Sequence, residues 1–375
     1  MTNFKLQKFN LLIITLMKTR QSNIFNFKGQ ELFIGIDVHL KTWNVSILTS
    51  SGFLDRYSQP ASATKFMEHL EKHYPQANYN VVYESGFSGF SIYYTLQELG
   101  INCKVVHAAD VPTSQWENLM KSDPVDSFKL AKALKAGLIT GIYVPDKNTL
   151  DARGLVRSRK AIVKSLSAYK SRIKHLLYNH GIEYPQEFAT KGTHWTKRFI
   201  TWLENDVTLL SETRESLNVL VDMVKVYRIE LLKVTRKLRE LSRSDFYKRK
   251  YELLISVPGI AMLSAMTLLT EIDDINRFKN QRQFASYLGL IPTCHNSGEK
   301  ESNGVKTFRG NKHIGPMIVE SAWSAIRYDR AMAACYGNYC QKMKPNQAII
   351  RIARKLSNRI MAVLKTGTIY CHDKN

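Results

Sequence analysis

Asp37 sits near the end of the apolar run Ile34-Gly35-Ile36-Asp37-Val38-His39, and Glu84 closes a second one, Val81-Val82-Tyr83-Glu84-Ser85-Gly86. A strand that stops at a carboxylate followed by a glycine turn presents that carboxylate as a ligand. Asp123 and Asp126 fall three residues apart at the start of a helix predicted over Val125–Leu138, so both carboxylates share one face. Hydrolysis or transfer at a phosphodiester needs negative charge neutralised and a nucleophile oriented, and two Mg²⁺ ions about 3.5–4 Å apart do both. Magnesium takes oxygen ligands, so Asp37, Glu84, Asp123 and Asp126 are the candidate metal ligands and catalytic groups. A structural role is compatible with the same residues. Asp123 before Pro124 has the form of an N-cap with proline at N1, and Asp126 three residues on suits a capping box.

These carboxylates need a sheet and a helix to hold them. From Glu31 to about Pro145 short β-rich runs alternate with amphipathic helices, the mark of an α/β layer. Phe33–Val38, Trp43–Leu48 and Phe53–Tyr57 read as three antiparallel strands, with Ser50, Ser51 and Gly52 supplying a turn. Thr64–His73 reads as a helix, Asn80–Glu84 as a buried strand, Ser88–Leu99 as a helix ended by Gly100, and Asn102–Val106 as a strand. The order β-β-β-α-β-α-β is the one an RNase H-like fold needs.

Beyond Asp151 the strand signal nearly vanishes. Leu210, Leu217, Val224, Leu231 and Leu238 recur every seven residues, with Leu220, Tyr227, Val234 and Leu241 three positions after their neighbours, an a/d seam of about four heptads. A helix over Leu155–Tyr178 carries Leu155, Ile162, Leu166, Tyr169, Ile173 and Leu177 on one side, so the two helices are expected to pack antiparallel or to mediate dimerisation. Its other side bears Arg153, Arg157, Lys160 and Lys164, a stripe that would track phosphates or simply be solvated. The last 130 or so residues read as a mostly helical, basic unit. There Val257-Pro258-Gly259-Ile260 resembles a helix-hairpin-helix turn, with Gly259 near a phosphate, although Ala261 stands where a second glycine is usual and a plain helix-helix turn is the alternative. Arg351, Arg354, Lys355 and Arg359 line an amphipathic helix over Ile349–Leu364, another candidate DNA-facing stripe. The expected organisation is an extension over 1–30, weakly ordered and including a possible alternative start at Met17, an α/β domain over 31–150, a helical coiled-coil connector over 151–245 and a mostly α-helical domain over 246–375.

Charge supports a polyanionic partner. Among 375 residues, 54 Lys and Arg stand against 32 Asp and Glu, a formal balance of +22, while 44% apolar content suits a globular chain. DNA is the first partner to expect. The apolar run Leu11–Met17 is too short for a spanning helix, so no membrane partner and a cytoplasmic location are expected. Five scattered cysteines without a CxxC pair indicate neither a disulfide framework nor a zinc ribbon. No GxxxxGK[ST] is present, nor an Arg…His-x-x-Arg…Tyr arrangement, which speaks against a P-loop motor and a tyrosine recombinase.

Taken in order, Gly35-Ile36-Asp37-Val38-His39, Tyr83-Glu84-Ser85-Gly86 and Ser122-Asp123-Pro124-Val125-Asp126 with Leu130-Ala131 resemble the RuvC-like DEDD domain of insertion-sequence transposases of the one-hundred-and-ten family. Downstream, Val257-Pro258-Gly259-Ile260, Phe284 to Pro292, Asn296-Ser297-Gly298 and Arg309-Gly310-Asn311 are similar to the C-terminal domain of that family. Ser127, where alanine is usual, is a departure. The resemblance implies a metal site at the four carboxylates, Ser297 as a nucleophile that holds DNA as a phosphoserine ester, and a bridge RNA that chooses target and donor. It also implies Arg309 and Lys312 as groups offsetting charge on the reacting phosphate. By spacing alone Ser297 is a turn serine with Ser286 and Ser302 as competitors. Related pilin-inverting recombinases share these residues, and a RuvC-like nuclease using water would need only the carboxylates. The heptad seam predicts a homodimer or tetramer.

Overall fold

The computed structural model describes residues 26–113, 123–297, 300–306 and 310–371, with strands inside 292–306 described by their backbone alone. The expected extension over 1–30 therefore lies almost wholly outside the described residues, as does Arg309. Two compact units are present, Met1–Val144 and Pro145–Asn375.

In the first unit, β1 (Glu31–Val38), β2 (Thr42–Leu48), β3 (Phe53–Pro60), β4 (Asn78–Glu84) and β5 (Asn102–Val106) form one sheet in the order β3-β2-β1-β4-β5. The first three strands run antiparallel, and β4 and β5 join parallel to β1. Strand parity divides the side chains. Leu32, Ile34, Ile36, Val81, Tyr83, Cys103 and Val105 pack with Phe66 and Leu70 of α1 (Ala63–His73) and with Ile92 and Leu96 of α2 (Ser91–Glu98). Val82 and Val106 pack on the opposite face with Leu130, Ala133 and Leu134 of α3 (Asp123–Lys135). The sheet is thus covered by helices on both sides, as a largely buried parallel centre requires.

Helix ends follow local chemistry. Ser62 caps α1 by accepting a hydrogen bond from the Lys65 amide. The second helix starts at Ser91 rather than Ser88 because Gly89 takes φ +55 in the turn before it. The third begins at Asp123, two residues before the expected start, and stops ahead of Gly137 at φ +68.

Among its described residues the second unit is helical apart from one hairpin. Its long members are α4 (Lys147–Asn179) and α6 (Ser211–Ser242), separated by α5 (Lys197–Asn205). Arg159 bonds Thr235 and Tyr169 packs against Tyr227, so α4 and α6 run antiparallel. Leu166, Ile173 and Leu177 of α4 share a core with Leu217, Val221 and Val224 of α6 and with Phe199 and Trp202 of α5. Each fully buried Leu in this seam contributes about 1.5–3 kcal/mol. The heptad seam is thus satisfied within one chain over its central turns, while Leu210 at its start is 81% exposed. The remaining helices, α7 (Asp245–Ile255), α8 (Met262–Ile272), α9 (Gln281–Tyr287), α10 (Ile314–Tyr328), α11 (Arg330–Cys340) and α12 (Pro345–Thr366), enclose a separate core. Strands β6 (Pro292–Ser297) and β7 (Lys300–Lys306) pair antiparallel between α9 and α10. No helix among the described residues is long and apolar enough to cross a membrane.

Candidate active site

Parity brings the first two carboxylates to one face. Ile36 pairs with Tyr83 in parallel register, so Asp37 and Glu84 are the next residues of adjacent strands and alternate onto the α3 side. The helix meets them because Gly35 has no side chain. A Cβ there would lie 2.1 Å from the Ser127 carbonyl oxygen and 2.5 Å from the Ala131 nitrogen, so the α3 backbone rests directly on β1. Buried Ser127 completes the contact, sharing a 2.8 Å hydrogen bond with Ser46 and donating to the Pro124 carbonyl. The hydroxyl that departs from the usual alanine is therefore paired rather than stranded.

The four acids fall into two linked groups. His39 Nε2 lies 3.0 Å from Asp37 Oδ2 and 3.4 Å from Asp123 Oδ2, and Asn44 donates to Asp123 at 3.3 Å. Asp37, His39 and Asp123 each offer an atom within 4.8 Å of the others. Lys129 Nζ stands 3.3 Å from Asp126 and 3.8 Å from Glu84. Asp123 occupies the first turn of α3, from which its carboxylate reaches Asn44 and His39. Burial pushes the Asp37 carboxyl above its ordinary range, opposed by His39 and reinforced by Asp123 and Asp126. Asp37 in turn raises the His39 imidazole, against partial desolvation. Crowded carboxylates with one imidazole are a donor set that fits a hard divalent cation.

His39 and Lys129 did not emerge as candidates from the sequence. His39 is two residues beyond Asp37, hence on the same side of an extended chain, and Lys129 is three beyond Asp126 on one helical face. Those periodicities were the available signals.

In the second unit Ser297 is the last residue of β6 and pairs with Lys300, at the tip of the hairpin rather than in an isolated turn. Gly259, at φ +88, packs against α10, where a Cβ would meet the Ser321 carbonyl oxygen at 2.4 Å. Its missing side chain allows that close helix packing.

The expected basic stripes divide. Arg157 makes a two-pronged contact of 2.7 and 2.9 Å with Glu271, which is 1% exposed, and Arg153 donates to the Thr270 carbonyl at 2.8 Å. Both guanidinium groups are therefore anchored on the Thr270–Glu271 turn, Arg153 largely covered and Arg157 with its side chain 45% exposed. Lys160 donates to the Lys312 carbonyl, while Lys164 and the Lys312 side chain are exposed. On α12, Arg359 is paired with buried Asp329 and lies over the Tyr370 ring, so it too faces inward. Arg351 lies over Tyr339. Lys355 is exposed, and Arg354 lines an open groove of about 670 Å³ with Lys279, Arg282 and Lys365. Among the described residues, none that lines that groove is acidic.

Comparison with known proteins agrees with both halves. Residues 34–181 match the DEDD transposase family of IS110 elements, and residues 251–337 match the transposase family IS116/IS110/IS902. The transposase for insertion sequence element IS1533 of Leptospira borgpetersenii is 26% identical over 260 residues, 68% of this chain and 73% of its own. The corresponding protein for IS1111A of Coxiella burnetii is 23% identical over 293 residues, 74% of this chain and 75% of its own. The y4qE protein of Sinorhizobium fredii is 27% identical over 305 residues, 79% of this chain and 72% of its own.

Proposed function

Because the chain belongs to the IS110 family of insertion-sequence transposases, enzymes that cut and rejoin DNA, we propose that its carboxylate cluster and Ser297 divide that chemistry between them. The observation that carries this reading is the strand parity that sets Asp37 and Glu84 beside the acidic start of α3. Asp37, Glu84, Asp123 and Asp126 would hold Mg²⁺ through carboxylate oxygens, with His39 beside them as a hydrogen-bond partner of Asp37 and Asp123. Bound there, magnesium supplies charge neutralisation at the phosphate and orients the attacking group. The protein's own share is to keep these donors in place on rigid elements and to offer the nucleophile.

In the proposed reaction the Ser297 Oγ–H bond gives up its proton to a base, an Oγ–P bond forms, and one DNA O–P bond breaks. The departing DNA oxygen takes a proton. Rejoining reverses the sequence, with a DNA hydroxyl attacking the phosphoserine and restoring the serine. Ester exchange conserves bond energy, so no nucleotide hydrolysis is needed. Lys312 and Arg309 would balance charge on the reacting phosphate. The downstream motif series supports Ser297, and the overall charge of +22 leaves room for a bridge RNA beside DNA. A homodimer or tetramer is supported by Val219, Val226, Ile229 and Leu232, which remain half or more exposed along α6.

The test is a denaturing-gel assay for protein joined to DNA, using the element's ends, its flanking transcript and Mg²⁺. Wild type should give a nuclease-sensitive shifted band that is absent in Ser297→Ala and Asp37→Asn. Cleavage without an adduct in Ser297→Ala would replace the serine mechanism by water-based hydrolysis.

A further inference from the structure

Glu271 is a buried carboxylate in a helical turn otherwise without charge, Leu268-Leu269-Thr270-Glu271-Ile272, and the proposed chemistry makes no use of it. Its partners are specific. Arg157 approaches it through both Nε and Nη2, and Asn311 Nδ2 donates to it at 2.9 Å. Asn311 Nδ2 also reaches the Tyr287 hydroxyl at 2.9 Å, and that hydroxyl donates to the Glu271 backbone carbonyl at 2.7 Å. Burial opposes charge on Glu271, but the bonds from Arg157 and Asn311 prevail and hold its carboxyl below the ordinary range.

These partners stand at the two roots of the hairpin. Tyr287 ends α9, just before β6, and Asn311 precedes α10, just after β7. The Asn311 amide donates to the Tyr287 carbonyl at 2.7 Å. Gly310 lies against Gly289 so closely that a Cβ on it would be 2.4 Å from the Gly289 Cα. Asn311 Oδ1 accepts from the His313 and Ile314 amides at the start of α10. One asparagine therefore links the hairpin's exit, its entry and a buried charge on α8.

A buried ion pair is a weak device for stability, since desolvation cancels much of its attraction, whereas it is strict about geometry. We infer that Glu271, with Arg157, Tyr287 and Asn311, is a positioning clamp that fixes the direction in which the hairpin carrying Ser297 leaves the helical body. The inference rests on Ser297 as the nucleophile for its catalytic meaning, but not for its mechanical one. Ser297 is at the far end of a two-stranded ribbon, and a small rotation at the root is amplified at the tip. A misplacement of about 1 Å at a reacting atom costs about 100-fold in rate.

The informative substitution is Asn311→Ser. Serine still caps a helix, so α10 keeps its start, but the link from Nδ2 to Glu271 and Tyr287 is removed. Glu271→Gln is the second variant, keeping shape while removing the charge. Two readouts are taken on the full chain: amide hydrogen exchange of hairpin peptides against peptides from α8 and α12, and adduct formation at saturating and half-saturating DNA. The clamp predicts faster exchange confined to the hairpin, an adduct rate lowered about 100-fold at saturating DNA, and an unchanged half-saturating DNA concentration. Unchanged hairpin exchange in Asn311→Ser overturns the clamp, whatever happens to Glu271→Gln. Faster hairpin exchange with full adduct formation overturns the clamp's catalytic role and leaves its mechanical one in place, while an adduct that persists in Ser297→Ala would overturn the Ser297 reading instead.

Discussion

Lys129 shows what single side chains contribute at the carboxylate cluster. Its Nζ lies between Glu84 and Asp126, with the side chain only 12% exposed. A cation held there offsets two carboxylates that would otherwise repel each other, and it opposes any divalent ion that uses them. Lys129→Met should therefore bind Mg²⁺ or Mn²⁺ about tenfold more tightly, the size of effect expected from removing one like charge at this range. Calorimetric titration of the metal into the full chain measures it, and an affinity that stays the same or weakens would show that Lys129 does not compete. His39 stands on the other side of the cluster. It accompanies Asp37 and Asp123, and its imidazole is held more basic than usual by Asp37.

At the level of elements, the contact between β1 and α3 makes the cluster possible, and Gly35 makes the contact possible. In Gly35→Ala the added methyl meets the Ser127 carbonyl and the Ala131 nitrogen, neither of which can move without shifting the helix. Overpacking of this kind costs roughly 1–3 kcal/mol. Urea unfolding should report that destabilisation, together with abolished DNA cleavage, and a variant as stable and active as wild type would contradict the close-approach account. The glycine, both strand-end acids and the acidic helix start are all legible in the sequence, because strand alternation and helical spacing are local properties. The fate of Arg153 and Arg157 is not. Their spacing shows that they share a helix face but not that the face meets Glu271, 114 residues beyond Arg157. The usable signal lay on the other partner, since a lone acid in a largely apolar helical turn demands a counter-charge. In the same way heptad spacing identifies the α4 and α6 seam without saying whether its partner is another segment of the chain or a second copy. Gly259 carries the same ambiguity, since a glycine in that turn serves close helix packing and a phosphate contact alike.

Over the whole molecule the net charge of +22 is unevenly useful, because several cations are consumed internally. Arg153 and Arg359 face inward and Arg157 is tied to Glu271 while still 45% exposed, whereas Arg354, Arg282 and Lys279 surround a groove with no acidic residue among its described lining. Replacing both Arg282 and Arg354 by alanine should flatten the dependence of log K for DNA on log salt by about 0.9 for each phosphate that is no longer neutralised. Arg157→Lys should leave that slope alone. Filter binding across a salt series separates the two, and equal slopes in wild type and the double variant would remove the groove from the DNA interface.

The close approach of Gly289 and Gly310 also bears on how this protein can change over time. The chain leaves the helical body and returns to it at one point, so closing the intervening segment imposes no distance that the segment must span. Topologically the hairpin is a graft on a scaffold whose two cut ends already touch. No span across the helical body limits its length, so what constrains it is the placement of Ser297 and not the packing of the surrounding helices.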